Sequence, residues 1–313
     1  MITTSTLSAP AAISASRRPG PSRSRIIGLL LGLLALALVG GCSADKLAYN
    51  NLPERGYWWI DGYVDLDDAQ SVQLRADLAR LHDWHRSREL PKVAELLHQV
   101  QQQAPADTTP AQVCHLLSEA QALFDAALVQ AEPGAVALAT RLTAPQLQHL
   151  EAHFAKGNEQ WRRDWLAITP AERAQKRFKV ELDRAQDFYG SLNDGQRLLL
   201  QDALQASAFD PGKAWTQRLQ RQQDLLQTLR SLAPADDAPA AGPATAAAAL
   251  RAWVRRAQHP GDPAMRTYAQ LVRLDNCQRQ ARLHNSTSAE QRRRAVARLA
   301  AYERAARELA AQR

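Results

Sequence analysis

The chain has 313 residues, a formal net charge of +7, three cysteines and only 14 glycines. Alanine, leucine, glutamine and arginine dominate, and no stretch alternates apolar and polar residues over a useful length, which excludes a strand-built domain and predicts an all-α protein. No Gly-rich phosphate loop and no G-x-S-x-G elbow occurs, so the common nucleotide-binding and serine-hydrolase frameworks are excluded as well.

The first 41 residues stand apart. Arg17, Arg18, Arg23 and Arg25 precede an unbroken apolar run at 26–39, and no acidic residue occurs before Asp45. A run of that length is short of the roughly 20 residues a spanning helix needs, but it suits the core of a signal peptide behind a basic region. The ending Val39-Gly40-Gly41-Cys42 resembles the bacterial lipobox. That resemblance implies that the Cys42 thiol is lipidated, that residues 1–41 are removed, and that Ser43 after the cysteine directs the product to the periplasmic face of the outer membrane. An ordinary cleaved signal, or an uncleaved anchor with an incidental cysteine, remains the alternative. Several acyl chains anchor stably where one binds marginally.

Without the leader's four arginines the net charge falls to +3. The remainder is asymmetric: residues 43–140 sum to −7 and residues 251–313, with 14 arginines, to +9. The charges fit solvated helix faces or attraction between the two ends within one fold, or else an arginine-rich face for anionic lipid or an acidic envelope partner. Nucleic acid is not expected for an exported chain. Cys114 and Cys277 could form a disulfide in an oxidising compartment if the fold brings them together.

Taken in order, residues 42–56 read as lipid anchor and polar tether, 57–232 as a helical domain, 233–249 as an Ala/Pro-rich loop or linker, and 250–313 as C-terminal helices packing on the same domain. Trp58, Trp59, Asp61, Tyr63 and Asp65 cluster at the start of the domain. Acids beside aromatics fit a binding surface for sugar or cation, or else dock this segment onto the core. A helix with Val72, Leu74, Leu78, Leu81 and Trp84 on its buried stripe follows, and Pro91 is expected to kink or end it. Glu132-Pro133-Gly134 reads as a turn. Leu147, Leu150, Phe154, Trp161 and Trp165 mark one face of the next helix. Phe178, Leu182, Phe188 and Leu192 mark another.

One pattern recurs at the helix starts. Leu66-Asp67-x-x-Gln70, Leu142-Thr143-x-x-Gln146, Ile168-Thr169-x-x-Glu172 and Leu192-Asn193-x-x-Gln196 share it, and Thr109-x-x-Gln112 and Thr287-x-x-Glu290 keep its polar half. This is the form of a capping box with an apolar staple. Leu142-Thr143-Ala144-Pro145-Gln146 also resembles the L-T-x-x-Q motif of Spy/CpxP-like periplasmic chaperones, which implies a holdase-like activity; capping accounts for the pattern without it.

His82, His85 and Glu89 lie three and four residues apart, as do His149 and His153, so each set could share a helix face and meet a metal; no metal site and no cofactor is expected from them. Lys46-Leu47-Ala48-Tyr49-Asn50-Asn51-Leu52, Trp58-Trp59-Ile60-Asp61-x-Tyr63-Val64-Asp65-Leu66, Trp84-His85-Arg86 with Glu89-Leu90-Pro91, and the cap at 142–146 together resemble a family of uncharacterised bacterial lipoproteins. That resemblance implies an all-helical envelope lipoprotein and carries no catalytic residue. The reading is therefore a lipid-anchored, non-enzymatic interaction or scaffold protein, with a chaperone, or a glycan- or metal-binding protein, as alternatives.

Overall fold

A computed structural model describes residues 42–234 and 239–312, all of whose regular structure is helical. The helices are α1 (Cys42–Asn50), α2 (Leu52–Val64), α3 (Asp68–Trp84), α4 (Leu90–Gln103), α5 (Pro110–Ala139), α6 (Ala144–Trp165), α7 (Pro170–Tyr189), α8 (Asp194–Gln205), α9 (Pro211–Leu232), α10 (Pro243–Gln258), α11 (Pro263–Asn285) and α12 (Ala289–Ala311). A π-helical turn, His85–Glu89, joins α3 to α4. The leader at 1–41, with its signal-peptide and lipobox reading, lies outside the described residues.

The molecule is an array of helices around three apolar clusters. The largest gathers Val64, Val136, Leu142, Leu147, Leu150 and Leu229 with neighbours from α2, α5, α6, α9 and α10. A second joins Leu182, Leu192, Leu200, Leu204 and Leu283 from α7, α8 and α11 with their connections. A third joins Tyr49 of α1, Leu90 and Ala94 of α4, and Ala306 and Leu309 of α12. The first and last helices thus share one cluster, and Lys46 pairs with Glu308 across it.

Six helices, among the described residues, open on a complete capping box. Five use the cap residues expected. At α12 the cap is Ser288 with Gln291 rather than Thr287 with Glu290, because the buried Thr287 spends its hydroxyl on the His284 carbonyl.

Four of the boxes meet in pairs. Gln70 Nε2 donates to the Arg141 carbonyl and to Gln146 Oε1, and Gln146 Nε2 donates to the Asp65 carbonyl and to Gln70 Oε1. Each Oε1 also accepts its own cap residue's N–H. Gln196 and Gln291 repeat the arrangement: Gln196 Nε2 donates to the Ser286 carbonyl and Gln291 Oε1, and Gln291 Nε2 to the Ser191 carbonyl and Gln196 Oε1. In all four corners the accepting carbonyl lies two residues before the partner box's cap. A primary amide offers two donors and two lone pairs, and here all are used.

Several expectations are corrected. The 42–56 segment is not a polar tether, since α1 and α2 run through it and Tyr49 is buried. The break near Pro91 is not a stop: α3 ends at Trp84, the π turn follows, and helix resumes at once as α4 with Pro91 in its first turn. The π turn lets Leu90 N–H reach the His85 carbonyl, and Pro91, which has no N–H to give, follows inside α4. Glu132-Pro133-Gly134 is not a turn, as α5 continues through Pro133 and the bare Gly134 lets Asp77 of α3 come close. The linker at 233–249 is helical from Pro243 on. Pro243 opens α10, whose alanine-rich start favours helix, and Ala246 is wholly buried in the largest cluster. Residues 235–238 lie outside the described residues. Val72, placed on the buried stripe of α3, is 72 % exposed.

The paired glutamines give a direct test. Gln146→Leu keeps the volume but strands the Gln70 amide, the Asp65 carbonyl and the Thr143 N–H. Unmade buried hydrogen bonds cost about 1–3 kcal/mol each, so a loss of about 2–4 kcal/mol in urea unfolding is expected, against less than about 1 kcal/mol for Gln112→Leu in an exposed, unpaired box.

Candidate interaction surfaces

The aromatic and acidic segment forms α2 and the corner after it. Tyr57 and Val64 face inward. The solvent side presents Trp58, 59 % exposed, and Trp59, 49 % exposed. The acids serve the corner. Asp61 Oδ1 accepts from the Leu66 N–H at 3.0 Å. Asp65 takes the left-handed conformation (φ 56°), which a short polar side chain tolerates, and its carbonyl accepts from Gln146. Asp67 caps α3 and Asp68 lies in its first turn. Tyr63 is partly buried, its ring 4.7 Å from Trp59 and 3.9 Å from His153. The five residues named from the sequence therefore split. Trp58 and Trp59 form a surface, whereas Asp61, Tyr63 and Asp65 hold the α2–α3 corner against α6.

A second cluster surrounds the π turn. The Tyr49 hydroxyl lies 2.9 Å from His85 Nδ1, and His82 Nε2 lies 3.1 Å from the Tyr49 carbonyl. Glu89 is 1 % exposed, with Oε1 2.6 Å from Lys92 Nζ and Oε2 buried without a hydrogen bond. Burial keeps the Tyr49 hydroxyl protonated, its pKa pushed up to about 12, so it is a donor throughout the ordinary range. Burial lowers the pKa of both histidines, Arg86 adding to the effect at His82 and the Glu89 carboxylate opposing it at His85. A neutral His85 can accept from Tyr49. The sequence reading grouped His82, His85 and Glu89 as possible metal ligands and did not see Tyr49. The imidazoles instead clasp Tyr49, and no group of three His, Cys, Asp or Glu placed for a metal occurs among the described residues. His149 and His153 have ring centroids 6.5 Å apart, with His153 against Tyr63. The Lys46–Leu52 stretch carried the only signal of the Tyr49 clasp.

Cys114 and Cys277 form a disulfide that joins α5 to α11, with Cα atoms 5.4 Å apart. Arg273 bonds beside it to Ser118 and the Cys114 carbonyl. α5 is the helix, among the described residues, long and apolar enough by length and composition to cross a membrane. It packs against α3, α4, α10 and α11. Several C-terminal arginines have acidic partners in the N-terminal half: Arg251 with Glu132, Arg292 with Asp107 and Arg307 with Glu95. These contacts draw the basic and acidic ends together.

A family model described as a family of unknown function (DUF6279) matches residues 62–238. The matched span includes Tyr63-Val64-Asp65-Leu66, Trp84-His85-Arg86 and the cap at 142–146, and starts after Lys46–Leu52 and the two tryptophans. No curated protein and no solved structure matches the chain.

The Tyr49 clasp predicts a pH dependence. A histidine with a folded pKa below its ordinary 6.5 binds protons more readily unfolded. Its contribution is complete above about pH 6.5 and is lost as pH falls toward the folded value. Tm is expected to drop between pH 7 and pH 5, and the drop to shrink in His85→Gln and further in His82→Gln/His85→Gln, as read by thermal unfolding across that range. Asp83, Arg86, Glu89 and Lys92 border the clasp and stay unchanged in these variants.

Proposed function

We propose that this chain, which belongs to a family of unknown function (DUF6279), is a lipid-anchored envelope protein. It is tethered through Cys42 to the periplasmic face of the outer membrane and acts there as a non-catalytic scaffold or interaction protein. The observation that carries this is the join at Cys42. A basic region and an apolar run end in Val39-Gly40-Gly41-Cys42, and α1 (Cys42–Asn50) carries that cysteine. Downstream of that anchor α1 packs on α12 through Tyr49, so the body is held close to its attachment.

The disulfide supports export independently of the leader. Such bonds persist in oxidising compartments and are rare in a reducing cytosol. Its contribution grows with the length of chain it closes, here a sequence separation of 163. The glutamines of the L-x-x-x-Q boxes are spent on helix corners, which gives the motif a structural role and supports a scaffold over a holdase.

Two measurements check the reading. Labelling with a palmitate analogue should mark the wild type and not Cys42→Ala, and only the wild type should sediment with outer-membrane vesicles; an unlabelled wild type would remove the anchor. Reducing the native protein, or replacing Cys114 and Cys277 with serine, should lower unfolding free energy by about 2–5 kcal/mol, read in urea with and without reductant.

A further inference from the structure

We propose that the outward stripe of α1 and α2 is a membrane-contact face that lays this end of the molecule on the bilayer holding its anchor. This rests on the anchored reading above and adds an orientation to it. Leu47 (64 % exposed), Trp58 and Trp59 lie on this side of the two helices. The spacing of 11 residues between Leu47 and Trp58 returns to almost the same angle at 3.6 residues per turn, and the only interruption is Asn51 between the helices. Leu47 in the second turn of α1 and Trp58 in the middle of α2 are therefore aligned, with Trp59 about 100° further round beside them.

The position of the chain outside the described residues identifies what covers the stripe. The apolar run at 26–39 ends three residues before Cys42. Whether the hold on the membrane is acyl chains on that cysteine or the run itself, it ends where the stripe begins. Trp58 follows 16 residues later, about 24 Å along a helical path. Tryptophan collects at the membrane–water boundary, where an apolar ring and a polar N–H are both served. An amphipathic helix lies in that plane with its apolar side down. The exposed Arg55 faces outward, and the nearby Glu54 is neutralised by Arg75, whose guanidinium sits 3.5 Å from the Tyr57 ring centroid and 5.6 Å from that of Trp58. Trp59 leans on Tyr63, which limits its rotation and holds the ring on the outer side.

The test uses the full processed protein reconstituted in vesicles of phosphatidylethanolamine and phosphatidylglycerol, with either ordinary or brominated acyl chains. Bromine quenches tryptophans at bilayer depth. Flotation of the vesicles reads the anchor, and emission reads the face. Brominated vesicles should lower tryptophan emission by at least a fifth, and Trp58→Phe/Trp59→Phe should abolish the difference while still floating. Floating protein with unchanged emission overturns the face and leaves the anchor standing. Quenching that survives in the double variant assigns it to other tryptophans and also overturns the face. Protection from acrylamide on adding glycan fragments, with no quenching by bromolipid, would give the stripe to a glycan instead. Protein that fails to float overturns the anchored reading itself.

Discussion

Four buried or half-buried glutamines hold the helix corners, and the array depends on them. A helix start leaves backbone N–H groups without partners. A capping box serves them locally, using the glutamine oxygen. Here the same glutamine carries its amide nitrogen across to a second corner and serves a carbonyl there. Gln70 with Gln146, and Gln196 with Gln291, therefore fasten one helix entry to another at separations of 76 and 95 residues. Fully satisfied polar networks specify one arrangement, because any slip leaves buried donors and acceptors unpaired. The three apolar clusters can be modest in size when the corners are fixed in this way.

The sequence shows the boxes but not their pairing. Cap chemistry is local: Asp67, Thr109, Thr143, Thr169 and Asn193 are each legible from four or five residues. What distinguishes a paired from an unpaired box is the partner's distant carbonyl, which no local window contains. The same limit explains α12, where Thr287 and Ser288 both fit a cap and the burial of Thr287 decides between them. Proline misled at Pro133, where α5 runs on through it, while near Pro91 a π turn lets helix resume at once. At the candidate surface, residue types alone placed tryptophans and aspartates together. The structure gives the aspartates to the α2–α3 corner and leaves the tryptophans outside.

The two ends of the chain are brought into one place. α1 packs on α12, Tyr49 sits between Leu90 and Leu309, and Lys46 meets Glu308. The negative first half and the positive last helices contact one another through Arg292 with Asp107, Arg307 with Glu95 and Arg251 with Glu132. Each exposed pair contributes little by itself. Together they favour the antiparallel return of the C-terminal helices over like-charge alternatives, which makes the charge asymmetry a feature of folding before it is one of binding.

That arrangement decides how an attachment at Cys42 would be felt. A tether joined to a flexible segment leaves the body free to turn. A tether joined to α1 meets Tyr49, which is clasped by His82 and His85 and backed by α12. Force or orientation imposed at Cys42 would pass through α1 to both the π turn and the last helix. α12 is in turn fixed at its start by Gln291 to Gln196, so the constraint continues into α8. The α1 end and the far corner are linked by packed helices and satisfied amides.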